Sequence, residues 1–141
     1  MKDIISLKEE KCPCGCGFPL MSYILGRSDD MMTLGAANVY PSQVMDAVSS
    51  ISELTDKFQF IVGKRGLRDH ATIRVELRKG AVASEDFQER LIKQMLASAS
   101  ELYHATSIAK TIEFPEVELV PYGTFTTGSR FKFKRFIDNR G

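Results

Sequence analysis

An α+β sandwich of the ferredoxin-like, split βαβ type, with two main helices on a mostly antiparallel sheet, is the fold class that three observations predict. After Pro41, Val44, Ala47, Val48, Ile51 and Leu54 recur at helical spacing. Phe58-Gln59-Phe60-Ile61-Val62 and Ala71-Thr72-Ile73-Arg74-Val75-Glu76-Leu77 have the composition or alternation of strands. A second apolar stripe, Phe87, Leu91, Met95 and Leu102, precedes a last strand-like run, Val117-Glu118-Leu119-Val120.

In chain order, Leu20-Met21-Ser22-Tyr23-Ile24-Leu25 reads as an apolar strand, residues 26–30 as a polar turn, and residues 31–34 as a second short apolar piece. The turn is therefore a joint between two ordered pieces. Pro41 suits the first turn of a helix, where its missing N–H needs no partner. Gly63-Lys64-Arg65-Gly66 separates the two central strands and predicts an antiparallel pair. Ser84 is placed to cap the second helix, with Glu85 and Asp86 in its first turn. The order strand, helix, strand, strand, helix, strand completes the pattern. Two stretches read as linkers: the cysteine-rich leading segment and the Gly/Thr/Ser-rich loop from Pro121 to Ser129.

The 141 residues, 43% of them hydrophobic, suffice for one compact domain. Nineteen basic and eighteen acidic side chains leave a net charge of +1, so no global field argues for nucleic acid or an anionic membrane as partner. No apolar run approaches the roughly 20 residues of a membrane helix, and Met1-Lys2-Asp3-Ile4 has no signal-peptide layout. A cytoplasmic location is expected. The cysteines, at positions 12, 14 and 16, stand too close together for a stapled secreted scaffold, which fits a reducing compartment.

Three features could carry chemistry. Cys12, Cys14 and Cys16 could form a thiolate cluster for Zn²⁺, one ligand short of the usual four, or stand as free thiols in a tight Gly/Pro turn. Gly26-Arg27-Ser28-Asp29-Asp30 joins a flexible glycine to one positive and two negative charges, a pattern equally suited to a solvated turn. Arg130 to Arg135 interleaves cations with Phe131 and Phe133, as in some single-stranded nucleic-acid binders, but also as in an edge strand guarded by lysines, the reading that the balanced charge favours. His70, at a strand entry, and His104, at a helix end, carry no catalytic reading.

The run Leu25-Gly26-Arg27-Ser28-Asp29-Asp30-Met31, then Gly35, then Asn38-Val39-Tyr40-Pro41-Ser42-Gln43-Val44, is similar residue for residue to the hinge region of phenylacetate-CoA ligases, members of the adenylate-forming superfamily. The resemblance continues upstream, where Asp3 precedes Cys12-Pro13-Cys14-Gly15 as a ribose-binding aspartate does in those enzymes. Downstream, Pro121-Tyr122-Gly123-Thr124 and Phe131-Lys132-Phe133-Lys134-Arg135-Phe136-Ile137-Asp138 look like the family's terminal loop and catalytic-lysine motif. It divides the chain into residues 1–25, the end of a large domain with the cysteine cluster, and residues 26–141, the small C-terminal domain.

The resemblance implies a two-step reaction: ATP and an aryl or arylacetic acid give an acyl-adenylate and pyrophosphate, then CoA displaces AMP. ATP, accompanied by Mg²⁺, and CoA would be co-substrates. Lys132 would be the catalytic lysine, chosen because the family's lysine lies three residues before an arginine, here Arg135. Phe131 stands where the family often has glycine, which keeps Lys134 as the alternative. Asp29 would be the hinge, Asp3 and Arg27 would meet the nucleotide, and Gly35 and Asn38 would line the CoA channel. By themselves, Gly35 and Asn38 also read as a turn and a helix cap. The partner would be a large N-terminal adenylation domain, on the same or a separate chain. This chain has no Gly/Ser/Thr-rich phosphate loop of its own, so alone it is expected to be inactive. The alternative is a free-standing domain that binds a ligand or partner without ligase activity.

Overall fold

The computed structural model describes residues 3–22, 24, 26, 27, 30–125 and 134–141, and of residues 4, 26 and 27 the backbone alone. Two short antiparallel ribbons come first. Asp3–Ile4 (β1) pairs with Gly26–Arg27 (β4), and Leu7–Lys11 (β2) pairs with Pro19–Met21 (β3). The apolar run from Leu20 is thus not one strand. Ser22 ends the second ribbon by exchanging hydrogen bonds with Ser6, its amide donating to the Ser6 carbonyl at 2.8 Å and its hydroxyl accepting from the Ser6 amide at 2.9 Å. The chain then pairs with a different strand.

Met32–Leu34 (β5) and Ala37–Val39 (β6) form a hairpin closed by Gly35 and Ala36. Gly35 has φ +59°, a conformation that a residue without Cβ adopts freely. Pro41–Ser49 (α1) starts with Pro41 in its first turn, and the Tyr40 amide donates to Gln43 Oε1 at 3.0 Å, satisfying a donor at the helix entrance. Asn38 is therefore a strand residue, paired with Thr33, and Tyr40 is the residue that caps the helix.

Leu54–Arg65 (β7) and Arg68–Leu77 (β8) form the long central hairpin. They extend the expected strands until only Gly66 and Leu67 remain as the turn, with Gly66 at φ +64°. Phe87–Ser98 (α2) follows, then Ser100–Tyr103 (α3), a π-helical turn at His104–Ile108, Glu116–Val120 (β9) and Phe136–Asp138 (β10). Ser84 does not cap α2. Its hydroxyl donates to Asp86 Oδ1 at 2.6 Å, and Arg90 draws Ser84 and Glu53 into one cluster, so Glu85 and Asp86 fall before the helix. The single long stripe of the second helix breaks at Ala99, whose φ of −119° and ψ of 85° redirect the chain while Leu102 and Ala105 stay in the core.

The main sheet runs β10-β7-β8-β9. β7 and β8 are antiparallel, whereas β9 joins β8, and β10 joins β7, in parallel. The main sheet is thus mixed, with two parallel pairings against one antiparallel, rather than mostly antiparallel, and the antiparallel pairings β1–β4, β2–β3 and β5–β6 belong to separate two-stranded ribbons. The architecture is α+β. Val44 and Val48 of α1 and Leu91 and Met95 of α2 are buried with Phe58, Phe60, Ile73 and Val75 of the central hairpin. Each such side chain contributes roughly 1.5–3 kcal/mol relative to exposure, so this hairpin is the rigid frame to which the polar ties of the loops attach. No helix among the described residues is long and apolar enough to cross a membrane.

Candidate functional site

Backbone pairing brings together the first two candidate residues. Asp3 lies directly opposite Arg27 in the β1–β4 ribbon, and the Asp3 side chain is exposed. The joint between this ribbon and the β5–β6 hairpin includes Asp29. Asp29 and Lys132 both lie outside the described residues. The alternative lysine, Lys134, is exposed, and its carbonyl accepts a 3.4 Å hydrogen bond from Gln59 Nε2.

Gly35 and Asn38 sit on one rigid hairpin. The Gly35 amide donates to Asp69 Oδ2 at 2.8 Å, and the Asn38 amide donates to Glu101 Oε2 at 2.8 Å. Thr33 Oγ1 donates to Asn38 Oδ1 at 3.1 Å, fixing the amide side chain on the hairpin face. Arg140 braces the same element: its Nη1 lies 3.0 Å from Asp69 Oδ2 and donates to the Thr33 carbonyl at 2.7 Å. The other side of the guanidinium holds Asp138, with Nε and Nη2 reaching its two carboxylate oxygens at 2.9 and 2.7 Å. This fork keeps the Asp138 carboxyl at about 2, below its ordinary value, and raises Arg140 further above its own. Neither Asp69 nor Arg140 stands out in the sequence, because each acts on a partner distant along the chain.

Beside the hairpin, Ala36, Glu101, His104, Ala105, Ala109 and Thr111 line a cavity of about 200 Å³. His104 is at a helix end as expected, as the C-cap of α3, and it opens the π-helical turn and lines this cavity. His70 is a buried residue of β8, 3.5 Å from Glu116.

The cysteine cluster forms as one unit. Gly15, at φ +80°, and a 3.0 Å hydrogen bond from its amide to the Cys12 carbonyl make a tight turn, and the three sulfurs lie within 4.8 Å of one another. Cys12 Sγ is 2.8 Å from Cys14 Sγ. Hydrogen bonding from Cys12, and then from Cys16, lowers the Cys14 thiol to about 7. A tetrahedral site with metal–sulfur bonds of about 2.3 Å holds its sulfurs roughly 3.8 Å apart, so Cys12 and Cys14, at 2.8 Å, would have to separate by about 1 Å to share an ion.

Residues 36–140, from the hairpin to the Arg140 brace, match the family of AMP-binding enzyme C-terminal domains. The chain belongs to that family. A phenylacetate-coenzyme A ligase of Thermus thermophilus is 32% identical to it over 149 residues, covering 98% of this chain and 32% of the ligase. The chain thus spans about a third of that relative's length. Among solved structures, a 2-hydroxyisobutyryl-CoA ligase in the postadenylation state, in complex with R3-HIB-AMP, is 26% identical with a TM-score of 0.69, over 99% of this chain and 28% of that one. A domain of a phenylacetate-coenzyme A ligase from Bacteroides vulgatus shares the fold, with a TM-score of 0.55 at 23% identity over 80% of this chain and 95% of that one.

Proposed function

We propose that this chain is the mobile small domain of a phenylacetate-CoA ligase-like enzyme, which joins an aryl or arylacetic acid to CoA through an acyl-adenylate, with ATP and Mg²⁺. The observation that carries this reading is the collinear match of 98% of the chain to one stretch of the Thermus ligase, with the family's domain within it. The attack of a carboxylate on the α-phosphate brings two anions together, and Lys132 supplies the ammonium that stabilises the developing charge. Asp3 and Arg27, opposite each other on one ribbon, supply a ribose acceptor and a cation for the nucleotide. Rotation about Asp29 then exchanges the lysine for the Gly35–Asn38 hairpin, which lines the path of the CoA thiol.

The large adenylation domain is the required partner. Ile5, Leu7, Phe18, Met21 and Ile24 expose between 40% and 79% of their surface on the leading ribbons, which is what a docked larger body would cover. The alternative of a free-standing binding domain has no such specific support. The test is a comparison of half-reactions in the ligase containing this chain. Lys132→Ala depresses acyl-adenylate formation and Asp29→Pro depresses thioester formation; equal loss in both steps for both variants would overturn the assignment.

Cys12, Cys14 and Cys16 form the second part of the proposal. Their sulfurs would hold Zn²⁺ as thiolates, with a fourth ligand from water or the large domain, and the ion would staple the β2–β3 ribbon. Protein prepared without chelator is expected to carry one equivalent of zinc, lost on Cys14→Ser. Absence of zinc from the unsubstituted protein would remove the site.

A further inference from the structure

Glu76 is a side chain that a strand of alternating residues should leave in water, yet it is fully buried. It follows Val75, which faces the helices, so Glu76 lies on the opposite face of the sheet. Burying a carboxyl group is costly unless its oxygens are hydrogen-bonded. Here both are. Oε1 accepts from Thr55 Oγ1 at 3.2 Å, and Oε2 accepts from the backbone amide of Phe125 at 3.0 Å. On the other side of the same residue, Lys57 Nζ donates to the Phe125 carbonyl at 3.1 Å. The Phe125 ring is itself buried, at 6% exposure. One loop residue is therefore gripped at its N–H and at its C=O by side chains of two neighbouring strands.

Phe125 lies five residues beyond the end of β9 and immediately precedes residues 126–133, and the chain that follows them is anchored as firmly. The Phe60 amide donates to the Arg135 carbonyl at 2.7 Å, the Arg135 guanidinium lies 5.2 Å from the centroid of the Phe58 ring, and β10 then pairs with β7 from Phe136 onward. Lys57 and Phe60 are separated by three residues of one strand, about 10 Å. Departure and return are thus both set by the rigid β7–β8 frame.

We propose that Glu76 and Lys57 are positioning residues for adenylation: by fixing Phe125 between them they set where the terminal loop departs, and so where Lys132 is delivered. This rests on the assignment of Lys132 made above. The physical stake is large, because a misplacement of about 1 Å at a reacting group can cost a hundredfold in rate.

The experiment uses the ligase containing this chain, with Glu76→Leu, Glu76→Gln, Lys57→Met and Lys132→Ala compared in the two half-reactions, together with amide exchange at Phe125. Glu76→Leu strands the Phe125 amide and is expected to speed its exchange and to slow adenylation by roughly tenfold to a hundredfold. Thioester formation from preformed adenylate should stay within about twofold of the unsubstituted enzyme. Glu76→Gln should recover most of the rate, since its carbonyl can accept from Phe125 while its amide donates to Thr55 Oγ1. Lys57→Met gives the same split if Glu76→Leu does not fold. Equal loss in both half-reactions, or faster Phe125 exchange with adenylation unchanged, would overturn the positioning role. Unchanged adenylation in Lys132→Ala would instead overturn the lysine assignment, and the positioning role with it.

Discussion

Arg140 Nη1 stands 3.0 Å from Asp69 Oδ2, so the next-to-last residue of the chain braces the hairpin that carries Gly35 and Asn38. Asp69 is largely shielded, with 16% of its side chain exposed, and it also accepts the Gly35 amide. Asp69→Ala removes both interactions and leaves a guanidinium and an amide without this acceptor. The expected loss is about 1–3 kcal/mol of unfolding free energy, read as a lower urea midpoint with an unchanged slope.

Acid should loosen the same brace. The Asp138 carboxyl is held at about 2 by the Arg140 fork, below its unfolded value near 4. A folded value below the unfolded one means that the stabilisation is complete above the unfolded value and fades as pH falls through about 4 toward 2. Melting temperature followed from pH 5 to pH 2 should fall less steeply in Asp138→Asn than in the unsubstituted protein.

Gly35 is required by its surroundings as well as by its backbone. At φ +59° an L side chain is strained, and an added Cβ would stand 2.7 Å from Ile112 Cγ2. Gly35→Ala is expected to cost roughly 1–3 kcal/mol, measured by denaturation. In the ligase, Gly35→Ala is expected to slow thioester formation more than adenylation.

In zinc-free protein Cys14 should be the reactive thiol of the three. Its lowering to about 7 places the thiolate fraction in the neutral range, so the rate of alkylation should rise with pH and level off above about 7. Cys12→Ser weakens the first cause of that shift and should move the inflection upward. Peptide mapping after brief alkylation identifies the modified cysteine.

Much of this was legible in the sequence because it is local. Helical spacing after Pro41, alternation from Ala71 to Leu77 and the stripe from Phe87 to Leu102 report on burial within single elements, and each forms where expected, apart from the break at Ala99 and from Ile51 and Leu54, which are buried but lie beyond the end of α1 at Ser49, Leu54 as the first residue of β7. What local pattern does not carry is pairing between distant segments. The end of the Leu20 run at Met21 goes with the Ser6–Ser22 hydrogen bonds, and the strand at Gly26–Arg27, which the local pattern reads as turn, follows from its partners Ile4 and Asp3. The displacement of Ser84 from the cap of α2 follows from Arg90, which gathers Ser84 and Glu53. The burial of Glu76 depends on Phe125 returning over the far face of the sheet, which no alternation rule anticipates. For the site, the order of motifs nominates Asp3, Arg27, Gly35 and Asn38, and the fold adds that Asp3 and Arg27 are opposite each other. The braces at Asp69, Arg140 and Glu76 have no signature, because a lone acid or arginine gains its meaning from the atom it meets.

The central claim is that this domain delivers Lys132 to acyl-adenylate formation, and pyrophosphate exchange supported by phenylacetate or another aryl acid tests it most directly. In the ligase containing this chain, Lys132→Ala should lower exchange by at least roughly a hundredfold, while thioester formation from preformed acyl-adenylate persists. Exchange at the unsubstituted rate in Lys132→Ala, or exchange catalysed by the 141-residue chain alone, would contradict the account.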